Sequence, residues 1–334
     1  VKALRRFVLG LAALAVLRAA VAPAFAQDQV KIGLGFGLAF LPLYICQDLK
    51  LVEKRAKDLH LDVKASYERF LGSGPMQDAI GSGAIDMGPY GTAPLLAAWE
   101  NAKDTPQQML AVSGITTMPL TLVSNQPNVA TIADVQPADR IAMPSLTAPQ
   151  MYVLQMQSEK IFKAFDKLRD QVVAMSPSAA VTALADGSGP VTAYFASPPF
   201  TQLALRDAKV HRVLNSVDVT NGKASFLIMG ATRAYIEAHP QMPDAIDKAM
   251  EDAARIIRSD PRRAAQIYLT HEPSMSLSGP LIEAVLREIK DEFGSAVYGV
   301  QLFADFMGRH GELKAPPKSW KDIVAPALLN SPST

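Results

Sequence analysis

Glycine, serine, threonine and aromatic residues cluster where short apolar runs end, and those clusters are where this chain could do chemistry. The sharpest is Leu71-Gly72-Ser73-Gly74-Pro75. A glycine-rich turn opening a helix presents free backbone N–H groups and the positive end of the helix dipole, which together can hold an anion. Ser73 adds a hydroxyl donor or caps the helix, and its type fits both roles. Ser145-Leu146-Thr147, ahead of a helix beginning near Pro149, offers the same donors from a second place in the chain. Tyr90, Tyr194 and Phe195 lie near strand ends, where rings either wall a small ligand or pack in the core. Enzyme chemistry finds no support. No Gly-Lys-Ser/Thr follows the glycine-rich turn, so no nucleotide-hydrolysing loop is formed. His60, His211, His239, His271 and His310 are scattered, without His-x₃-His spacing or a neighbouring cysteine for zinc, and His271-Glu272 is only half of a zinc-protease motif. No Gly-x-Ser-x-Gly elbow and no close carboxylate pair appears at a strand end. No catalytic residue, metal site or cofactor is expected.

The elements that must position these residues alternate. Hydropathy predicts strands over Val30–Leu34, Leu61–Tyr67, Ala84–Met87, Met109–Ile115 and Leu120–Ser124, with helices over Pro42–Lys54, Pro75–Gly81 and Thr92–Asn101. The middle of the chain repeats that grammar. Strands are expected at Arg140–Met143, Gln171–Met175, Val191–Phe195 and Val210–Leu214, and helices at Gln150–Phe165, Ala179–Ala185 and Pro199–Asp207. A last strand at Ser225–Met229 leads into a helical tail, where Ile246, Met250, Ala253, Ala254 and Ile257 recur at helical spacing, as do Leu281, Val285, Ile289 and Phe293. Such alternation predicts an α/β fold with a largely parallel sheet. Ile80-Gly81-Ser82-Gly83-Ala84-Ile85-Asp86-Met87 parallels Asp186-Gly187-Ser188-Gly189-Pro190-Val191-Thr192-Ala193 at an offset of 106 residues, which implies two similar units, one per lobe.

In open α/β sheets ligands bind outside the carboxyl ends of the strands. Those ends are Phe36–Phe40, Leu71–Gly74, Pro89–Thr92 and Thr116–Thr117 in the first unit, and Ser145–Thr147, Ser176–Ser178 and Ala196–Ser197 in the second. They hold no Lys, Arg, Asp, Glu or His. The candidate ligand-binding set is Phe36, Gly37, Leu38, Phe40, Ser73, Gly74, Tyr90, Thr92, Ser145, Thr147, Tyr194 and Ser197. Arg69 is read as a solvated strand-end charge and Asp86 as structural.

Composition bounds the class. The chain has 334 residues, 49% of them hydrophobic, with 33 Lys+Arg, 32 Asp+Glu and one cysteine. Two lobes are expected at that length, a disulfide framework is excluded, and a net charge of +1 gives no footprint for nucleic acid. Lys2, Arg5 and Arg6, the apolar run Phe7–Leu17 and Ala24-Phe25-Ala26 together read as an export signal cleaved after Ala26. Removing residues 1–26 leaves 29 basic against 32 acidic side chains, a charge of −3. Cys46 is read as a small buried hydrophobe rather than a lipid anchor.

Taken together, the chain resembles a periplasmic solute-binding protein of an ABC importer, of the nitrate/sulfonate/taurine branch. The resemblance rests on Val30-Lys31-Ile32-Gly33-Leu34 leading through Phe40-Leu41-Pro42-Leu43-Tyr44 into a helix, on Gly72-Ser73-Gly74, and on Gly83-Ala84-Ile85-Asp86-Met87-Gly88. It covers residues 28–325 and implies a type II architecture: two Rossmann-like α/β lobes joined by two crossover strands, with a helical C-terminal tail. Lobe 1 is then expected over 27–122 and 229–334 and lobe 2 over 123–228, with crossovers near Leu120–Gln126 and Phe226–Thr232. The resemblance further implies a monomer that closes on a small-molecule ligand in the periplasm and docks on an ABC permease driven by its ATPase. With no cation at the strand ends, a singly charged group held by amides and hydroxyls is expected, and Phe36, Leu38 and Phe40 favour an organic sulfonate or carboxylate over bare nitrate. An exported enzyme or a signalling receptor on the same scaffold stays open.

Overall fold

Among the described residues, short apolar runs build two separate open sheets of five strands each. A computed structural model describes residues 28–70, 73–272 and 277–329, so the expected export signal over 1–26 lies outside the described residues. The chain runs through β1 (Asp28–Leu34), α1 (Leu41–Leu49), α2 (Leu51–Asp58), β2 (Val63–Arg69), α3 (Ser73–Gly81), β3 (Met87–Tyr90), α4 (Thr92–Asn101) and β4 (Met109–Thr116). It enters the second sheet with β5 (Thr121–Ser124), β6 (Arg140–Met143), α5 (Pro149–Phe162), β7 (Val172–Ala174), α6 (Pro177–Asp186), β8 (Val191–Ala196), α7 (Phe200–Ala204), β9 (His211–Asn215) and α8 (Ser216–Thr220). It returns through β10 (Leu227–Thr232) and ends in α9 (Arg233–Ala238), α10 (Met242–Ser259), α11 (Pro261–His271), α12 (Gly279–Ile289) and α13 (Val300–Arg309). Among the described residues no helix is long and apolar enough to cross a membrane.

The two sheets share one plan. Their orders are β2-β1-β3-β10-β4 and β7-β6-β8-β5-β9. In each, a central strand pairs in parallel with its first two neighbours, and the fourth strand is antiparallel and comes from across the molecule. β5 follows directly from β4 and β10 follows α8, so the chain passes between lobes over residues 117–120 and 216–226. The expected lobe boundaries after residues 122 and 228 cut β5 and β10 after their second residues. Hydropathy places a strand but does not say which sheet its hydrogen bonds join.

The internal repeat is real in structure but sits in a different register. α3 and α6 begin at Ser73 and Pro177, and β3 and β8 at Met87 and Val191, both 104 residues apart. The left-handed glycines of the two turns, Gly83 and Gly187, keep that spacing, whereas the Gly-Ser-Gly strings align at 106. The conformation fixes the turn, and the letters sit two residues out.

Strand burial follows what covers each strand. β3, β4 and β5 are buried on both faces, while β2, at an edge, alternates. In β8, Ala193 and Phe195 face the main core and Tyr194 and Ala196 face a smaller core beneath α6 and α7. The helical stripe Ile246, Met250, Ala253, Ala254 and Ile257 is wholly buried. The helix expected at Pro199–Asp207 is shorter, Phe200–Ala204, the strand expected at Ser225–Met229 lies at Leu227–Thr232, and two elements differ more. The helix expected over Pro42–Lys54 is broken at Lys50, which adopts a left-handed conformation (φ 54°, ψ 45°) between α1 and α2. The strand expected at Ala84–Met87 forms instead at Met87–Tyr90, because Asp86 is held before it: its carboxylate accepts the Lys31 N–H at 2.7 Å and its own N–H donates to the Lys31 carbonyl.

Candidate functional site

The carboxyl ends of both sheets face a cleft of about 670 Å³ between the lobes. β1 delivers Gly35-Phe36-Gly37 to its first wall, followed by a single 3₁₀ turn, Leu38–Phe40. Gly37 has φ 103° and ψ 166°, a conformation glycine alone adopts without strain. Phe70, at the end of β2, and Phe226 and Leu227, where the chain returns to the first lobe, complete the apolar lining.

The second wall is polar without being charged. Ser145, Thr147 and Ala148 lead into α5, Ser178 lies in the first turn of α6, and Ser197 stands at the end of β8. The Ser145 and Thr147 hydroxyls lie 3.3 Å apart. α5 and α6 both begin with proline at their first turn, and neither receives a side-chain cap. α4 is likewise uncapped at Gly91. Three helix N-termini therefore bring their dipoles and amides to one cleft. The lobes approach closely there, since a Cβ added to Gly91 would lie 3.0 Å from the Pro149 ring.

Glu272 is the only charged side chain lining the cleft among the described residues. It lies at the carboxyl end of α11 and was not found by reading strand ends, because it arrives from the helical tail. Its Oε1 accepts the Gly37 N–H and the Tyr44 hydroxyl. Burial first, and then the Glu272 charge, hold the Tyr44 and Tyr268 hydroxyls well above their usual pKa, so both stay protonated as donors. His271 stacks on Tyr44 with centroids 4.5 Å apart, and its Nε2 lies 2.8 Å from Asp48 Oδ1. Arg69 is not solvated as expected. Its guanidinium lies over the Phe36 and Tyr44 rings, at 4.8 and 5.1 Å, and donates to the His271 carbonyl at 3.1 Å.

Of the twelve candidate residues, the cleft gathers Phe36, Gly37, Leu38, Phe40, Ser145, Thr147 and Ser197. Tyr90 and Tyr194 do not line it. They are buried core residues at equivalent places in β3 and β8, Tyr194 in the smaller core under α6 and α7. Thr92 is also buried, and its hydroxyl donates to the Ser225 carbonyl at 2.6 Å, tying α4 to the returning chain segment. Leu71 and Gly72 lie outside the described residues; Ser73 and Gly74 open α3, and Gly74 is absent from the cleft wall. Gln150 also went unseen: it lines the cleft, is 2% exposed, and its amide oxygen has no hydrogen-bond partner. Among the described residues no group of His, Cys, Asp and Glu is arranged to hold a metal ion. Cys46 is fully buried, its thiol donates to the Ala249 carbonyl at 3.6 Å, and burial raises its pKa far beyond the usual range.

Two open sheets built on one plan, each receiving an antiparallel strand from the other half of the chain around a cleft, make up a periplasmic-binding-protein fold. No protein-family model matches the chain, and no curated protein matches it in sequence. Its architecture is nonetheless similar to the periplasmic aliphatic sulphonate binding protein SsuA of Escherichia coli, with a TM-score of 0.67 at 18% identity over 89% of this chain and 97% of that one. The alkanesulfonate-binding protein SsuA of Xanthomonas axonopodis pv. citri, bound to MOPS, superposes with a TM-score of 0.65 at 20% identity over 90% and 97%. A mutant of DszB in complex with biphenyl-2-sulfinic acid gives 0.58 at 11% identity over 90% and 97%.

Proposed function

We propose that the chain is an exported solute-binding protein that captures a small organic anion, such as a sulfonate, taurine or a carboxylate, and delivers it to an ABC importer. The observation that carries this reading is the cleft at the carboxyl ends of both sheets, walled by rings on one side and by hydroxyls and uncapped helix N-termini on the other. The fold's sulfonate-binding neighbours support it. Ligand that touches both walls only when the lobes close shifts the population toward the closed form, and that form is the one a permease and its ATPase would read. We place the mature protein in the periplasm as a monomer, with residues 1–26 removed on export. The burial of Cys46, whose thiol is held protonated, supports binding over a cysteine nucleophile.

Native mass spectrometry of freshly purified protein, followed by calorimetry of ligand-stripped protein against taurine, alkanesulfonates, nitrate and aromatic carboxylates, tests the proposal. A co-purifying small acid, or saturable binding of one of these probes, is the expected result. Binding of cations or neutral sugars alone, or turnover of a bound compound, would overturn it.

A further inference from the structure

β2 ends the first sheet, and among the described residues no strand pairs with its outer side. The sheet's other edge is covered, since β4 bridges to Val324 and to Phe293. The second sheet ends in shorter strands, β7 with three residues and β9 with five, against seven in β2. A groove of about 930 Å³ runs along β2 between it and α2, lined on the helix side by Lys50, Glu53 and Lys57. An open edge of this length presents a row of backbone donors and acceptors, a template for one further strand.

The ladder to β1 decides which groups point outward. In a parallel pair the bonds of each strand fall on alternate residues. The Asp62 carbonyl accepts the Asp28 N–H at 3.2 Å and the Phe70 N–H donates to the Leu34 carbonyl at 2.9 Å, so the even-numbered residues face β1. Val63, Ala65, Tyr67 and Arg69 therefore turn their N–H and C=O groups away from the sheet. Ala65 agrees: its N–H meets Glu53 Oε1 at 3.4 Å, a long contact on the outer side. Side chains alternate as well, with Lys64, Ser66 and Glu68 exposed on one face and the odd residues buried or half-buried on the other.

Two copies of β2 that pair antiparallel must set outward residues against outward residues. A two-fold axis through Ser66 does so over all seven residues, opposing Ala65 to Tyr67 and Val63 to Arg69 as hydrogen-bonded pairs. Lys64 of each copy then faces Glu68 of the other, at a non-hydrogen-bonded position where side chains come closest. Moving the axis to Ala65 sets Asp62 against Glu68, and moving it to Tyr67 sets Lys64 against Phe70. Full overlap and two opposite-charge pairs coincide at Ser66.

We propose that two copies of this chain associate reversibly through β2, antiparallel about Ser66, so that their first sheets become one continuous sheet. The joint is short, seven residues or about 24 Å of edge, which places it among weak, transient interfaces. The chain is thus the monomer proposed above when dilute, and it pairs when concentrated. Each copy keeps its own cleft, and the inference goes beyond the solute-binding reading without depending on it.

Analytical ultracentrifugation of the purified protein at low salt tests it. The weight-average mass is expected to climb toward that of two chains between about 5 and 500 μM, for a dissociation constant of roughly 100 μM. Lys64→Glu alone, or Glu68→Lys alone, turns both cross-strand pairs into like-charge pairs, and each variant is expected to associate about tenfold or more weakly. Mixed in equal amounts, the two variants again make two opposite-charge pairs, so the mixture is expected to recover wild-type association. The double variant Lys64→Glu/Glu68→Lys should recover it as well. Both side chains are exposed, so the substitutions leave the fold of the single chain intact. A wild-type chain that stays monomeric over the whole range overturns the inference. Association that neither substitution weakens, or that stays weak both in the mixture and in the double variant, overturns it too, because the contact then lies elsewhere or in another register.

Discussion

Asp247 lies in α10, where its carboxylate accepts a hydrogen bond from the Ser113 hydroxyl at 3.0 Å. Burial raises its pKa to about 6, against hydrogen bonds from Ser113 and Ser295 that lower it. The folded chain therefore binds this proton more tightly than the unfolded chain does. Stability is greatest where Asp247 is protonated in both states, below its ordinary value of 3.8, and falls as pH rises toward 6. Above pH 6 the penalty is constant, at about 3 kcal/mol. Asp247→Asn is expected to raise the free energy of unfolding in urea by about 1–3 kcal/mol at pH 8, and by much less at pH 4. A loss at pH 8, or an equal gain at both pH values, would show that burial does not govern the group. The same scale explains what could be read of the site. Phe36, Gly37, Leu38, Phe40, Ser145, Thr147 and Ser197 were legible because they follow a strand directly, and strand ends need only a strand to be found. Glu272 and Gln150 were not, since each depends on which helix end reaches the cleft; the one local sign was an acidic residue set against a helix dipole. Tyr90 ends β3 and Tyr194 lies two residues before the end of β8, but the pleat turns their rings into the cores.

At the scale of elements, the break between α1 and α2 tests how much the chain sacrifices to position its first wall. Lys50 caps α1, its N–H donating to the Cys46 carbonyl, and does so at φ 54° with a Cβ that this region disfavours. Lys50→Gly is expected to stabilise the fold by about 0.5–1 kcal/mol, read as a higher denaturation midpoint with an unchanged slope. A destabilised variant would mean that the lysine side chain holds the junction. No glycine or proline marks this break, so hydropathy runs α1 and α2 together as one helix. Other elements were plain from the letters. Thr92–Asn101 and Arg140–Met143 form over the spans their patterns predict, since their apolar residues are bounded by glycine, proline and charge. The exchange of β5 and β10 between sheets could not be read from either strand's sequence. Their burial on both faces looks the same in whichever sheet they lie, and only pairing with β8 and β9, or with β3 and β4, separates the choices.

For the whole molecule, α5 decides how the lobes can move. Its fourteen residues span roughly 21 Å, long enough to reach from the cleft to the helical tail. At the cleft end Pro149 faces Gly91 across the gap. Toward the far end Glu159 meets Arg309 at 3.0 Å and His310 at 2.9 Å, and Phe165, just beyond the helix, packs on His310 with centroids 4.0 Å apart. The two crossings between lobes meet at one carboxylate: Thr117 donates to Glu292, and the Lys223 ammonium lies 3.2 Å from it. Under the proposed closure, a lobe tethered through Glu159 is expected to pivot about that end and to move the cleft end of α5 farthest. Hydrogen exchange on adding ligand is therefore expected to slow at residues 35–40, 145–153 and 197–200 and to stay unchanged at 158–162. Glu159→Ala removes the charged part of the tether, which at this exposure is worth no more than about 1 kcal/mol to global stability. It should nevertheless extend the ligand-dependent change into 158–162, because the pivot is then free to shift with the lobe. Uniform protection along α5 in the wild-type chain would rule out rotation about this end and favour a sliding of one lobe past the other.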